Sequence, residues 1–183
     1  MKALPTTIPS VMLCENTVFR DGRGFFLESW NQRAFTETLQ VDVSFVQDNR
    51  SHSIQNVLRG LHYQIDPMAQ GKLVGVSRGR IYDVCVDLRR SSPTFGQTFG
   101  CYLDETDGME IWIPPGLAHG FLVVSAAADV WYKTTQFYSP SHERCIRWDD
   151  EYLAINWPLS DKSPLVSDKD RAGGSFETAT FFA

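Results

Sequence analysis

Residues 80–88, RIYDVCVDL, decide the fold class. Tyr82, Val84, Val86 and Leu88 fall on one face and Ile81, Asp83, Cys85 and Asp87 on the other, the period of two that a β-strand imposes. Arg78-Gly79 before this stretch and Ser92-Pro93 after it have the composition of turns. Working outward, further strands are expected at Phe25–Trp30, Val43–Asn49, Lys72–Ser77, Thr98–Leu103, Glu110–Ile113, Gly120–Val124, Asp129–Phe137 and Glu143–Trp148. Turns are expected at Asp21-Gly22, Asp107-Gly108, Pro114–Gly116 and Ser139-Pro140. Gln32–Leu39 reads as a helix, and a second short helical piece is expected near Asp149–Ala154. From Gly173 onward the sequence carries no usable pattern, and residues 172–183 read as a C-terminal tail. Without repeat, linker or low-complexity segment, the expectation is one all-β domain over residues 1–183, a barrel or sandwich.

Bulk composition narrows the function classes. With 183 residues, 43% of them hydrophobic and 21% charged, the chain can bury a sizeable core and need not be disordered. A net charge of −5 argues against a broad nucleic-acid or anionic-membrane surface, yet leaves room for a small anionic ligand held by a few Arg and Lys. The N-terminus shows no secretory signal, and the uncharged stretch from Ile111 to Ala128 holds Pro114, Pro115 and His119, which suits no membrane helix. Cys14, Cys85, Cys101 and Cys145 stand far apart with no CxxC pair. They read as reduced thiols of a cytoplasmic protein, not as a zinc site or disulfide framework.

Two segments carry chemistry. In IPPGLAHGF (113–121), Pro114-x-Gly116-x-x-His119 has the form of the second cupin motif, which sets a histidine on an inward strand after a tight turn. A cupin-like jelly roll is therefore the expected architecture. In NVLRGLHYQ (56–64), the place where a metal-binding cupin has an HxH pair reads His62-Tyr63-Gln64. His62 and His119 alone are too few ligands for a stable first-row metal site, so no metal and no cofactor is expected. Without a metal, such a site can still acidify a hydrogen beside a ketone. That needs a base, a donor at the developing oxyanion and an acid to return the proton. Histidine, with an unperturbed pKa of about 6.5, suits the base. His62, Lys72 and Tyr132 are the right types for base, oxyanion donor and opposite-face acid.

The chain resembles the dTDP-4-dehydrorhamnose 3,5-epimerases from about Leu4 to Asp170. The markers are DGRGFFLESW (21–30), QDNRSHS (47–53), VLRGLHYQ (57–64), QGKLVGVSRGRIYDVCVDLR (70–89), SPTFG (92–96), IPPGLAHGF (113–121), YKTTQFYSP (132–140) and SDKD (167–170). The resemblance implies His62 as the base at C3 and C5, Asp170 as its orienting carboxylate, Lys72 at the C4 oxygen and Tyr132 as the acid. It implies Arg59 and Arg23 at the diphosphate, with Glu28, Gln47, Asn49, His119, Glu143 and Lys169 completing a nucleotide-sugar pocket. It also implies a homodimer whose N-terminal strands reach the partner's pocket. Two places depart from the family pattern: Asn56 stands where glycine is common, and RAGG follows SDKD in place of a proline-containing ending.

Blander readings compete. Phe25, Phe26, Trp30, Trp112, Trp131, Trp148 and Trp157 are expected mainly in the core, with one of them free to stack on the thymine ring. His52 and His142 read as surface residues. The preferred substrate is dTDP-4-dehydro-6-deoxy-α-D-glucose. A C3-only epimerase, a 3,4-ketoisomerase, a metal-dependent cupin dioxygenase and a non-catalytic sugar-nucleotide binding module are the alternatives.

Overall fold

A computed structural model describes residues 1–160 and 162–183. Along the chain come strands β1 (Lys2–Pro5), β2 (Met12–Glu15), β3 (Val18–Asp21) and β4 (Gly24–Leu27), then helix α1 (Gln32–Leu39). Strands β5 (Gln47–Ile54), β6 (Leu58–Gln64), β7 (Lys72–Arg78), β8 (Arg80–Asp87) and β9 (Thr98–Asp104) follow. The chain continues through β10 (Met109–Ile113), β11 (Leu117–Val123), β12 (Ala127–Thr134) and β13 (Glu143–Cys145) to a short helix α2 (Asp168–Arg171).

The strands form two antiparallel sheets, ordered β1-β2-β10-β7-β12-β5 and β13-β6-β11-β8-β9, while β3 and β4 make a separate hairpin. This is the expected all-β, cupin-like sandwich. Val74, Ile111, Ile113 and Val130 of the first sheet meet Ile81, Cys85, Leu103, Leu117 and Phe121 of the second to form the core between them. Each such fully buried side chain contributes about 1.5–3 kcal/mol relative to exposure.

β8 is covered on both faces, which its alternation does not disclose. Ile81 and Cys85 face the inter-sheet core, whereas Val84, Val86 and Leu88 pack under Leu153, Trp157 and Phe176. The chain after β13 thus returns over the outer face of the second sheet. Bridges from Ile146 to Gly174 and from Arg89 to Phe182 pin it there. The patternless final residues pack as well, with a 3₁₀ turn at Phe176–Thr178.

α1 closes the outer face of the first sheet. Asn31 caps it by accepting from the Ala34 N–H at 3.1 Å, and Gln40 ends it in the left-handed region at φ 55°. Phe35, fully buried, packs its ring against those of Trp30, Phe45 and Trp112.

Several elements differ from expectation. β5 starts at Gln47, not Val43, because Val43 and Phe45 are drawn into the cluster around Phe35. Asp149–Ala154 forms turns, not a helix: the Asp150 carboxylate accepts from the backbone N–H of Leu153 and of Phe176, tying the segment to the closing residues. Strand β4 is shorter than Phe25–Trp30, and Phe25 and Phe26 are 49% and 69% exposed, not core. Among the described residues no helix is long and apolar enough to cross a membrane.

One core carboxyl gives a pH test. Glu110 on β10 is buried, accepts from Asn16 Nδ2 at 2.8 Å, and is pushed up to about 8 by burial, against the lowering effects of Asn16 and Lys133. The stability its neutral form contributes is full below the free carboxyl's range and is lost as pH rises through about 8. Glu110→Gln keeps the acceptor and removes the ionisation. By calorimetry its melting temperature is expected to exceed the parent's at about pH 9 and to match it at about pH 5.

Candidate active site

A cavity of about 390 Å³ opens between the two sheets. The first sheet lines it with Gln47 and Asn49 of β5, Lys72 of β7 and Tyr132 of β12. Cross-strand register explains the grouping. Lys72, Thr134 and Gln47 are opposite one another in one row, and Val74, Tyr132 and Asn49 in the next. The second sheet contributes Arg59 and His62 of β6, His119 of β11 and Glu143 of β13, and α2 adds Lys169.

Arg59 and His62 are three apart, so a regular strand would aim them at opposite faces. The pairing of β6 with β11 breaks between them: His62 is opposite His119, and Arg59 opposite Phe121. β6 therefore spends one more residue than β11 over the same span, a bulge that turns both side chains into the cavity. Gly60 makes this feasible. It sits at φ 120°, and a Cβ there would lie 2.5 Å from the Cα of Gly120. At Asn56 φ is 65°, a conformation asparagine tolerates better than most residues.

His62 Nε2 hydrogen-bonds to Asp170 Oδ1. The second oxygen of Asp170 accepts from Ser167 Oγ at 2.8 Å, and Ser167 also caps α2 by accepting from the Asp170 N–H. Asp170 is buried, which by itself raises a carboxyl. The bonds from His62 and Ser167, aided by the Gly60 N–H, outweigh this and hold it below the ordinary carboxylate range. A carboxylate on Nε2 leaves Nδ1 as the free ring nitrogen, with no hydrogen-bond partner among the described residues.

The other polar groups are also fixed. Burial pulls Lys72 down to about 8, with the carboxylates of Glu143 and Asp83 acting the other way, and its Nζ donates to the His62 carbonyl at 3.3 Å. Burial raises Tyr132. Glu143 accepts from Tyr138 Oη at 2.7 Å and pairs with Lys169. Burial would raise Glu143, but these two partners take it below its ordinary value. Arg59 Nε donates to Ser53 Oγ at 3.0 Å. His119 Nε2 bonds to Asp83 Oδ2 at 2.8 Å, a second histidine–carboxylate pair.

His62, Lys72, Tyr132, Gln47, Asn49, Arg59, His119, Glu143 and Lys169 thus line one cavity, and Asp170 backs His62. Arg23 and Glu28 do not join them. Arg23 sits on the β3–β4 hairpin with its side chain 90% exposed, bonded to Asp21, and Glu28 is exposed beyond β4. Sequence reasoning missed Tyr138 and Asp83. Tyr138 lines the cavity half exposed, while Trp112 and Trp157 are buried in the core, as expected of them. Asp83 carried a signal, an acid on the core-facing side of RIYDVCVDL.

The family model described as dTDP-4-dehydrorhamnose 3,5-epimerase matches residues 5–178. A dTDP-4-dehydrorhamnose 3,5-epimerase of Pseudomonas aeruginosa is 57% identical over 182 residues, covering 100% of this chain and 99% of the relative. The crystal structure of a dTDP-6-deoxy-D-glucose-3,5-epimerase from Legionella pneumophila, in complex with dTDP-4-keto-L-rhamnose, superposes with a TM-score of 0.94 at 44% identity. That match covers 98% of this chain and 94% of the other. A 3'-monoepimerase from Streptomyces bikiniensis, in complex with dTDP-quinovose, gives 0.89 at 31% identity, covering 97% of this chain and 88% of that one.

The bulge makes a structural test. Gly60→Ala is expected to destabilise the fold by at least ~2 kcal/mol in urea unfolding, since the added methyl meets backbone at a strained φ.

Proposed function

The chain belongs to the dTDP-4-dehydrorhamnose 3,5-epimerase family, and from that premise we propose that it converts dTDP-4-dehydro-6-deoxy-α-D-glucose to dTDP-4-dehydro-β-L-rhamnose. One observation carries the mechanism: His62 and Tyr132 come from opposite sheets and line the same cavity. A sugar ring bound between the sheets has its base on one side and its acid on the other, the arrangement that inversion at carbon requires.

His62 Nδ1 takes the proton from the carbon beside the C4 ketone, and the C–H electron pair moves to the C4 oxygen. Lys72, desolvated and next to the base, holds the enolate oxygen with its ammonium. Collapse of the enolate then takes the phenolic proton of Tyr132 onto the opposite face. Solvent resets both groups before the second carbon reacts. Asp170 orients His62 and stabilises the imidazolium, as a buried, hydrogen-bonded carboxylate can. No cofactor enters.

Arg59 has the fork geometry for the diphosphate. Gln47, Asn49, His119, Glu143 and Lys169 hold the remaining polar groups, and Tyr138 offers a half-exposed ring for the thymine. A cytoplasmic homodimer completes the reading. Exposed Phe19, Phe25 and Phe26 make the β3–β4 hairpin an apolar arm. Across a dimer that arm brings the partner's Arg23 and the partner's Glu28 to this cavity. Residues 1–183 act as one catalytic domain.

Turnover of the keto-sugar nucleotide, trapped by a downstream reductase, tests these roles. His62→Asn is expected to lose about 10³-fold in kcat with an unchanged circular dichroism spectrum, and Tyr132→Phe about 10²-fold. Full activity in either variant would sink the assignment.

A further inference from the structure

Cys145 lies beside the catalytic pair, and the epimerase chemistry gives it no task. It is the cross-strand partner of His62, because β13 pairs with β6 in that register. Its thiol, an imidazole nitrogen of His62 and a carboxylate oxygen of Asp170 all lie within 4.8 Å of one another. The three donors come from β13, β6 and α2, so the fold fixes their convergence.

We propose that His62, Cys145 and Asp170 form a three-ligand site for Zn²⁺ whose occupancy reversibly shuts the enzyme off. Sulfur with imidazole and carboxylate is a donor set that favours zinc over hard cations such as Mg²⁺. Zinc bonds of about 2.0–2.3 Å put tetrahedral ligands roughly 3.3–3.8 Å apart, so the side chains reach that geometry by small torsional shifts. Thiolate and carboxylate together neutralise the ion, and Lys169 does not compete for them because its ammonium is paired with Glu143. Binding forms the Zn–S, Zn–N and Zn–O bonds, releases the thiol proton to solvent and shifts the Nε2 proton by solvent exchange to Nδ1, so the imidazole stays neutral and no oxidation state changes. The His62–Asp170 hydrogen bond is lost, and with it the base's orientation. The fourth coordination position is left for water.

The inhibitory consequence rests on the epimerase reading, whereas metal binding does not, so the test reads both. The full chain, stripped with EDTA, is titrated with ZnCl₂ against a chromophoric chelator and assayed for turnover in parallel. One Zn²⁺ per chain is expected, with turnover suppressed by Zn²⁺, restored by EDTA and indifferent to Mg²⁺. Cys145→Ala is expected to turn over normally without metal, to bind Zn²⁺ about 100-fold more weakly and to resist inhibition to the same degree. Asp170→Asn removes a ligand by different chemistry and is expected to weaken binding comparably, while Cys101→Ala leaves it unchanged. Absence of Zn²⁺ binding by the parent chain would overturn the proposal, as would parental affinity in Cys145→Ala or Asp170→Asn. A chain that binds zinc as described but never turns over the sugar nucleotide would refute the epimerase reading alone.

Discussion

The one-residue mismatch between β6 and β11 is the constraint on which the site depends. A regular pairing would leave either Arg59 or His62 on the wrong side of the sheet, separating a diphosphate-binding cation from the base. The mismatch needs a residue that accepts φ 120° against the backbone of Gly120, and only glycine does so without strain. The Gly60 N–H is also among the groups that lower Asp170, the carboxylate that orients the base. Local backbone geometry and catalytic electrostatics therefore meet at Gly60.

The sandwich supplies what the bulge cannot, two facing surfaces. The second sheet carries the histidines and the first carries Lys72 and Tyr132. Burial makes the lysine a more readily deprotonated group than an exposed one, and nearby Glu143 and Asp83 oppose that trend. Lys72 is thus governed by its own burial and by two carboxylates of the opposing sheet.

Much of this was legible in the sequence because alternation and turn chemistry are local. RIYDVCVDL, the Gly-Pro turns and the Asn31-capped α1 report themselves within a few residues. What was hidden depends on distant segments. Asp149–Ala154 looks helical in isolation, yet Asp150 is occupied by the N–H of Phe176. Phe25 and Phe26 look like core residues until the hairpin is seen to stand free of both sheets. The pairing of Asp170 with His62 spans more than a hundred residues, and no spacing rule discloses it; family resemblance did. Asp83 could have been found, since an acid on the core side of a strand must have a partner.

The central claim is that protons leave and return to a sugar ring held between opposed donors. Its most direct test is turnover of dTDP-4-dehydro-6-deoxy-α-D-glucose in D₂O, with deuterium located by NMR and mass spectrometry. Solvent deuterium at both C3 and C5 of the product is the expected result. Label at C3 alone would reduce the enzyme to a single epimerase, and a product formed without label at either carbon would contradict the account.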